Sequence, residues 1–230
     1  MSGGCPCLFC FSTAPVAGRS MSGADTFQIN MAEAPAANCG YCAYSCCCNV
    51  CAIVETRKRS HMSGTWKEYR CCAGTDPTGK CCGKLVSTEC PSGTEPCCAC
   101  LEAMICPGCM VSSTRVKMML EYNLRSDPLD NQIIHCQNAI QFIACIVAVA
   151  GNAIGLPAEA QDIMDLFSTL VFLSVSACMN TQIHIELKYR KEGIPFASKA
   201  TSVVPQEQAM ARGMPVAVAV PVQQEARRVP

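Results

Sequence analysis

Apolar residues gather along this chain in four blocks, set apart by stretches of breakers or charge. From Cys39 to Val54 the sequence is apolar and free of proline, and it stops at Glu55 and the basic Arg57-Lys58-Arg59. Cysteine behaves as a small hydrophobe, so the pattern predicts a helix over 39–59. Residues 60–96 then collect Gly64, Gly74, Pro77, Gly79, Gly83, Pro91, Gly93 and Pro96, which predicts an irregular loop module. A second helix is expected over 97–125, with Pro107-Gly108 as a kink or break inside it. Asp127-Pro128-Leu129-Asp130 reads as a turn, with Asp130 as the N-cap of the next helix. The remaining two blocks predict a helical hairpin over 130–192. Ile133–Ile154 is predominantly apolar, and Gly155-Leu156-Pro157 stops it. Pro157 and Glu159 open the last helix, and Lys188, Arg190 and Lys191 close it where cations suit the helix dipole. Residues 1–38 show no sustained period and read as a flexible arm. Residues 193–230, rich in Pro, Ala, Val and Gln, read as a disordered tail. The fold expected is mainly α: a bundle of about four helices, an irregular cysteine-rich loop module, and a C-terminal apolar hairpin.

The hairpin raises the question of a membrane. A spanning helix needs about twenty apolar residues, and the strictly apolar stretches, 139–150 and 164–179, fall short of that. The connection from Gly155 to Asp162 carries no Lys or Arg, whereas Arg115, Lys117 and Arg125 precede the hairpin and Lys188, Arg190 and Lys191 follow it. That asymmetry predicts membrane insertion with both termini and the thiol-rich region on the cytosolic face. A soluble four-helix bundle is the alternative. At about 100° per residue, Asn138, Gln141, Cys145 and Asn152 share one face of the first helix. Asp162, Asp165, Thr169, Ser176 and Asn180 share one face of the second. Two such stripes are expected to face each other as interhelical glue. A cation seam with Asp165 at its mouth is the rival reading, and a single carboxylate makes a poor cation site.

Composition sharpens this picture. Basic and acidic residues balance at 18 each, so no net basic field recruits nucleic acid. Charged residues are 16% of the chain and hydrophobic residues 50%, lean in charge for a soluble protein. There are 22 cysteines, and all but Cys136, Cys145 and Cys178 lie before residue 110. The stretch from Met1 to Arg19 lacks a signal-peptide pattern, and no Asn-x-Ser/Thr acceptor occurs. The thiols are therefore expected to meet a reducing compartment, reduced, acylated or bound to metal.

Four Cys-x-x-Cys pairs occur: Cys7/Cys10, Cys39/Cys42, Cys48/Cys51 and Cys106/Cys109. The loop module adds Cys71, Cys72, Cys81, Cys82 and Cys90, with His61 nearby in sequence. Thiolates are soft ligands suited to zinc or copper(I), and a tetrahedral zinc site takes four. The loop has the least apolar content and most needs a staple. These five cysteines are thus the candidate ligands of a structural zinc ion, against buried reduced thiols or disulfides as the plainer readings. Clustered cysteines beside apolar helices are also candidates for palmitoylation. Cys106-Pro-Gly-Cys109 invites a redox reading, but such sites need a preceding strand and a βαβ context, and nothing here reads as a strand. No Ser-His-Asp arrangement, phosphate loop or His-Glu-x-x-His is present. The chain reads as non-enzymatic.

Several blocks together resemble the plant, algal and oomycete branch of the cysteine-rich family named after placenta-specific gene eight. They are Asp25–Pro35, Cys46–Cys51 with Arg57-Lys58-Arg59, Tyr69–Gly74, Cys98–Ala103, Val111–Arg115 and Tyr122–Asn131. The family signature joins a Cys-Cys pair to Cys-Pro-Cys. Here Cys97-Cys98 is followed by Cys106-Pro-Gly-Cys109, one residue longer in the second element and differently spaced. The resemblance implies a membrane-associated, non-enzymatic protein, with relatives linked to cell-number control, heavy-metal resistance and calcium entry. The function expected is a membrane-associated, cysteine-rich protein in metal or ion homeostasis through thiol coordination. A scaffold subunit of a larger assembly is the alternative, and a thiol oxidoreductase a third. Membrane lipid is the expected partner, with protein partners or further copies of the chain beside it.

Overall fold

The structure, a computed structural model, describes Phe11, residues 25–60, Trp66, Tyr69, residues 91–151 and residues 155–193. It is mainly helical. Among the described residues the α-helices are α1 (Ala34–Ala37), α2 (Cys39–Cys47), α3 (Asn49–Ser60), α4 (Glu95–Ile105), α5 (Pro107–Glu121), α6 (Pro128–Ala150) and α7 (Ala158–Glu192). Two short strands, β1 (Asp25–Thr26) and β2 (Leu124–Arg125), pair in parallel, with Asp25 opposite Leu124.

The single helix expected over 39–59 is two. Cys48 leaves the helical region at φ −117° and ψ 51°. The Asn49 amide then donates to Ser45 O (3.1 Å) and to Ser176 Oγ on α7 (2.9 Å), which seals the corner. Asn38 caps α2, its Oδ1 accepting from Tyr41 N at 3.0 Å. The helix expected over 97–125 likewise divides. Its break falls at Cys106, and α4 and α5 meet at 114°. Pro107 has no N–H to continue α4 and opens α5 instead. Glu95 and Pro96 form the first turn of α4, so the loop module does not extend to 96.

Asp127, not Asp130, is the N-cap of α6: its Oδ1 accepts from Leu129 N at 2.8 Å, and Pro128 occupies the first turn. The residues expected as a turn are thus the helix start. Residues 25–38, expected in a flexible arm, carry β1, a capped 3-10 turn at Met31–Glu33, and α1. Phe27, Ile29, Met31 and Ala34 are all buried. The cap is a reciprocal box. Asn30 Oδ1 accepts from Glu33 N (2.9 Å) and Glu33 Oε2 from Asn30 N (3.2 Å). The expected tail lies outside the described residues beyond Gly193, whose left-handed φ of 65° ends α7.

The core gathers Met31, Ile53, Met110, Met118, Ile134, Met179, Ile183 and Leu187, all at most 1% exposed. α7 runs through its centre. Every residue from Met179 to Leu187 is buried, so this half of α7 is enclosed on all sides by α1, α2, α3, α5 and the 3-10 turn.

Candidate functional site

The two halves of α7 meet different surroundings. Ile163 (68%), Leu166 (62%), Phe167 (49%) and Leu170 (54%) are exposed in the first half. Facing outward beside them on α6 are Phe142, Ile143, Ile146 and Val149 (75%). Both helices are long and apolar enough to cross a membrane. At 1.5 Å per residue, the stretch of α7 from Pro157 to Ser176 measures about 28 Å, close to the ~30 Å of a bilayer's hydrocarbon core. Below Ser176 the helix enters the bundle. Gln132 and His135 are exposed at the same end of α6, and Glu159 and Asp162 are exposed near the tip.

The two polar stripes do not close on each other. Gln141 Nε2 donates to Ser168 O across the hairpin (2.7 Å). Asn138 instead pairs with the backbone of Phe11, accepting from its N (2.9 Å) and donating to its O (2.7 Å). The Phe11 ring stacks on Phe172 at 5.3 Å. Ser176 turns to Asn49, while Asp162, Asp165 and Thr169 are exposed. The glue is real at Gln141, but a cation seam is not formed. Among the described residues no three His, Cys, Asp or Glu side chains come together to hold a metal ion.

Inside the bundle the helices are tied by buried polar groups. Asp130 is fully buried. Its carboxylate accepts from Met31 N (2.7 Å), Arg115 Nη2 (2.8 Å) and Gln182 Nε2 (2.7 Å). Arg115 is 1% exposed, lies over the Phe27 ring at 5.0 Å and donates from Nε to Gln182 Oε1 (3.2 Å). Burial pushes its guanidinium below the usual range, and the Asp130 carboxylate opposes that. Arg57, read as part of the basic stop of the first apolar block, is also buried. It pairs with Glu102 (3.3 Å) and donates to Ser113 Oγ (2.5 Å), while Tyr69 donates to the other Glu102 oxygen. Among the described residues Arg57 Nε and Nη1 find no acceptor, so this pair is the less complete of the two there. On α7, His184 Nδ1 accepts from Arg59 (3.0 Å), and the ring stacks on Tyr41 at 3.8 Å. The sequence reading made Asp130 the N-cap of α6, and no local pattern joined it to Arg115 fifteen residues before it.

The candidate zinc ligands Cys71, Cys72, Cys81, Cys82 and Cys90 lie outside the described residues, as do His61 and the Cys7/Cys10 pair. Cys39, Cys47, Cys48 and Cys51 are exposed at α2 and α3, and Cys97 and Cys100 on α4. Cys178 of α7 lies near Cys42 of α2. Cys106 and Cys109 are buried at the α4–α5 corner, 5% and 4% exposed.

No family model, curated protein or solved structure matches this chain.

Proposed function

We propose that the protein is a non-catalytic, membrane-inserted carrier of cysteine thiols, with the α6–α7 hairpin in the bilayer and the helical bundle on the cytosolic surface. The observation that carries this reading is the sharp division of α7 into an apolar, outward-facing half and a polar-studded, enclosed half. Eight large apolar side chains on the hairpin retain roughly half of their surface or more in water. Transferring them to lipid contributes on the order of 8 kcal/mol. A hairpin returns both of its ends to the same face. Arg125, Lys188 and Lys191 lie at those ends, and the positive-inside bias favours the cytosol for that face.

The exposed thiols at α2, α3 and α4, together with the five in the loop module, supply soft ligands for metal or ion handling. The resemblance to the placenta-specific gene eight family supports the same reading. Alkaline carbonate extraction of the full chain from cell membranes tests it. The wild-type protein stays in the pellet, and Phe142→Glu/Phe167→Glu moves to the supernatant. A wild-type chain recovered wholly in the supernatant overturns the proposal.

A further inference from the structure

We propose that the corner between α2 and α3 is an S-acylation site, where Cys47, Cys48 and Cys51 take long-chain fatty acyl groups as thioesters. The inference rests on the membrane reading above and adds a chemical modification to it.

The geometry begins with the direction of α2. Its first turn lies beside the enclosed half of α7, where Tyr41 stacks on His184. Its far end meets Ser176, bonded to Asn49 at 2.9 Å. α2 therefore runs down α7 toward the apolar hairpin, and α3 turns back toward Arg59 and its contact with Glu192 at 2.9 Å. The sharp corner at Cys48 thus sits where α7 passes from bundle to bilayer, about 9 Å along the helix from the exposed Leu170.

Three sulfurs crowd this corner, and all three are exposed. One turn earlier Tyr44 is 37% exposed, and its phenol lies close to Cys48 and Cys51. A tyrosine with an apolar ring and a polar tip suits the headgroup level. Among the described residues, several other thiols lack one of these properties. Cys106 and Cys109 are enclosed, Cys42, Cys46 and Cys178 are half-buried, and Cys97 and Cys100 sit on α4, which packs on α3 and α5.

The reaction is thioester exchange. The deprotonated Sγ of a corner cysteine attacks the carbonyl carbon of a fatty acyl thioester donor, such as an acyl–coenzyme A. A new S–C bond forms, the donor's own S–C bond breaks, and the departing thiolate takes up the proton that the cysteine gave up. No electrons change hands. An acyl chain joined at this level enters the leaflet beside the hairpin, giving the second anchor that stable attachment takes.

Acyl exchange on the full chain expressed in eukaryotic cells tests this: free thiols are blocked, thioesters are cleaved with hydroxylamine, and the released thiols are mass-tagged. The wild-type chain shows a hydroxylamine-dependent ladder, and peptide mapping places thioesters at Cys47, Cys48 or Cys51. Cys47→Ser/Cys48→Ser/Cys51→Ser loses those tags, while Cys97→Ser/Cys100→Ser keeps them. Mapping on the wild type needs no variant to fold. A carbonate-resistant wild-type chain with no thioester at the corner overturns acylation and leaves membrane insertion standing. A carbonate-soluble chain with no thioester overturns both.

Discussion

Replacing Asp130 with alanine removes the one anion that holds together Met31, α5, α6 and α7. The carboxylate accepts three hydrogen bonds of 2.7–2.8 Å and is 0% exposed. Its loss leaves the Arg115 guanidinium buried with Ser126 Oγ (3.0 Å) and Gln182 Oε1 as neutral acceptors. Stranding one member of a buried ion pair costs about 3–5 kcal/mol. The Met31 N–H, now without its acceptor, adds about 1–3 kcal/mol. The sum is a large part of the ~5–15 kcal/mol that holds a domain folded. It corresponds to a fall of roughly 10 °C or more in melting temperature for a chain of this size. Thermal unfolding in mild detergent, followed by circular dichroism, measures it. Arg115→Met/Asp130→Leu recovers most of the loss, because an apolar pair of similar volume carries no stranded charge. If Asp130→Ala melts within about 2 °C of the wild type, the carboxylate behaves like a surface ion pair. If the double variant melts no higher than Asp130→Ala, the loss is one of packing. Either result refutes the reasoning.

The Tyr41 phenol is pushed up from 10.0 to about 12, chiefly by burial. Its folded form holds the proton more tightly than the unfolded form, so this contribution is intact below pH ~10 and falls away as pH rises toward ~12, by roughly 2–3 kcal/mol. Tyrosinate absorbance and melting temperature recorded together across that range check it, and Tyr41→Phe flattens the dependence. Asp127→Ala removes the cap of α6 and costs about 1 kcal/mol, read as a drop of a few degrees in melting temperature. Native alkylation followed by peptide mapping labels Cys39 and Cys97 first and Cys106 and Cys109 last, in line with their exposure. Elemental analysis with thiol counting on native material shows zinc if the loop module binds it, and Cys81→Ser/Cys82→Ser lowers that content.

The helices were legible because their signals are local: the apolar blocks, the proline at 107, and the Gly155–Pro157 stop. The breaks inside the first two blocks were harder to place. At Cys48 nothing in the local sequence interrupts the helix, and the corner is sealed by a contact with Ser176 far along the chain. The ordering of residues 25–38 depends likewise on distant groups, since Gln28 N donates to Glu186 Oε2 (2.8 Å) and Gln182 Nε2 to Ile29 O (2.9 Å). Only the Asn30-Met-Ala-Glu33 capping box announced it locally. Arg57 read as part of a basic stop and Arg115 as one of the cations before the hairpin, and no local pattern showed that each is enclosed with a carboxylate contributed by another helix. Asn180 read as part of a polar stripe facing α6, whereas every residue from Met179 to Leu187 is buried in the bundle.

α7 contains 35 residues and neither proline nor glycine. A helix of that length is about 52 Å of stiff rod, with none of the usual causes of a kink. Tilting its outer end therefore swings its inner end by the same angle. Gln182 and His184, which bond to other helices, are mounted on that inner arm, so with the outer half inserted as proposed, a change in bilayer thickness would work on those contacts as leverage.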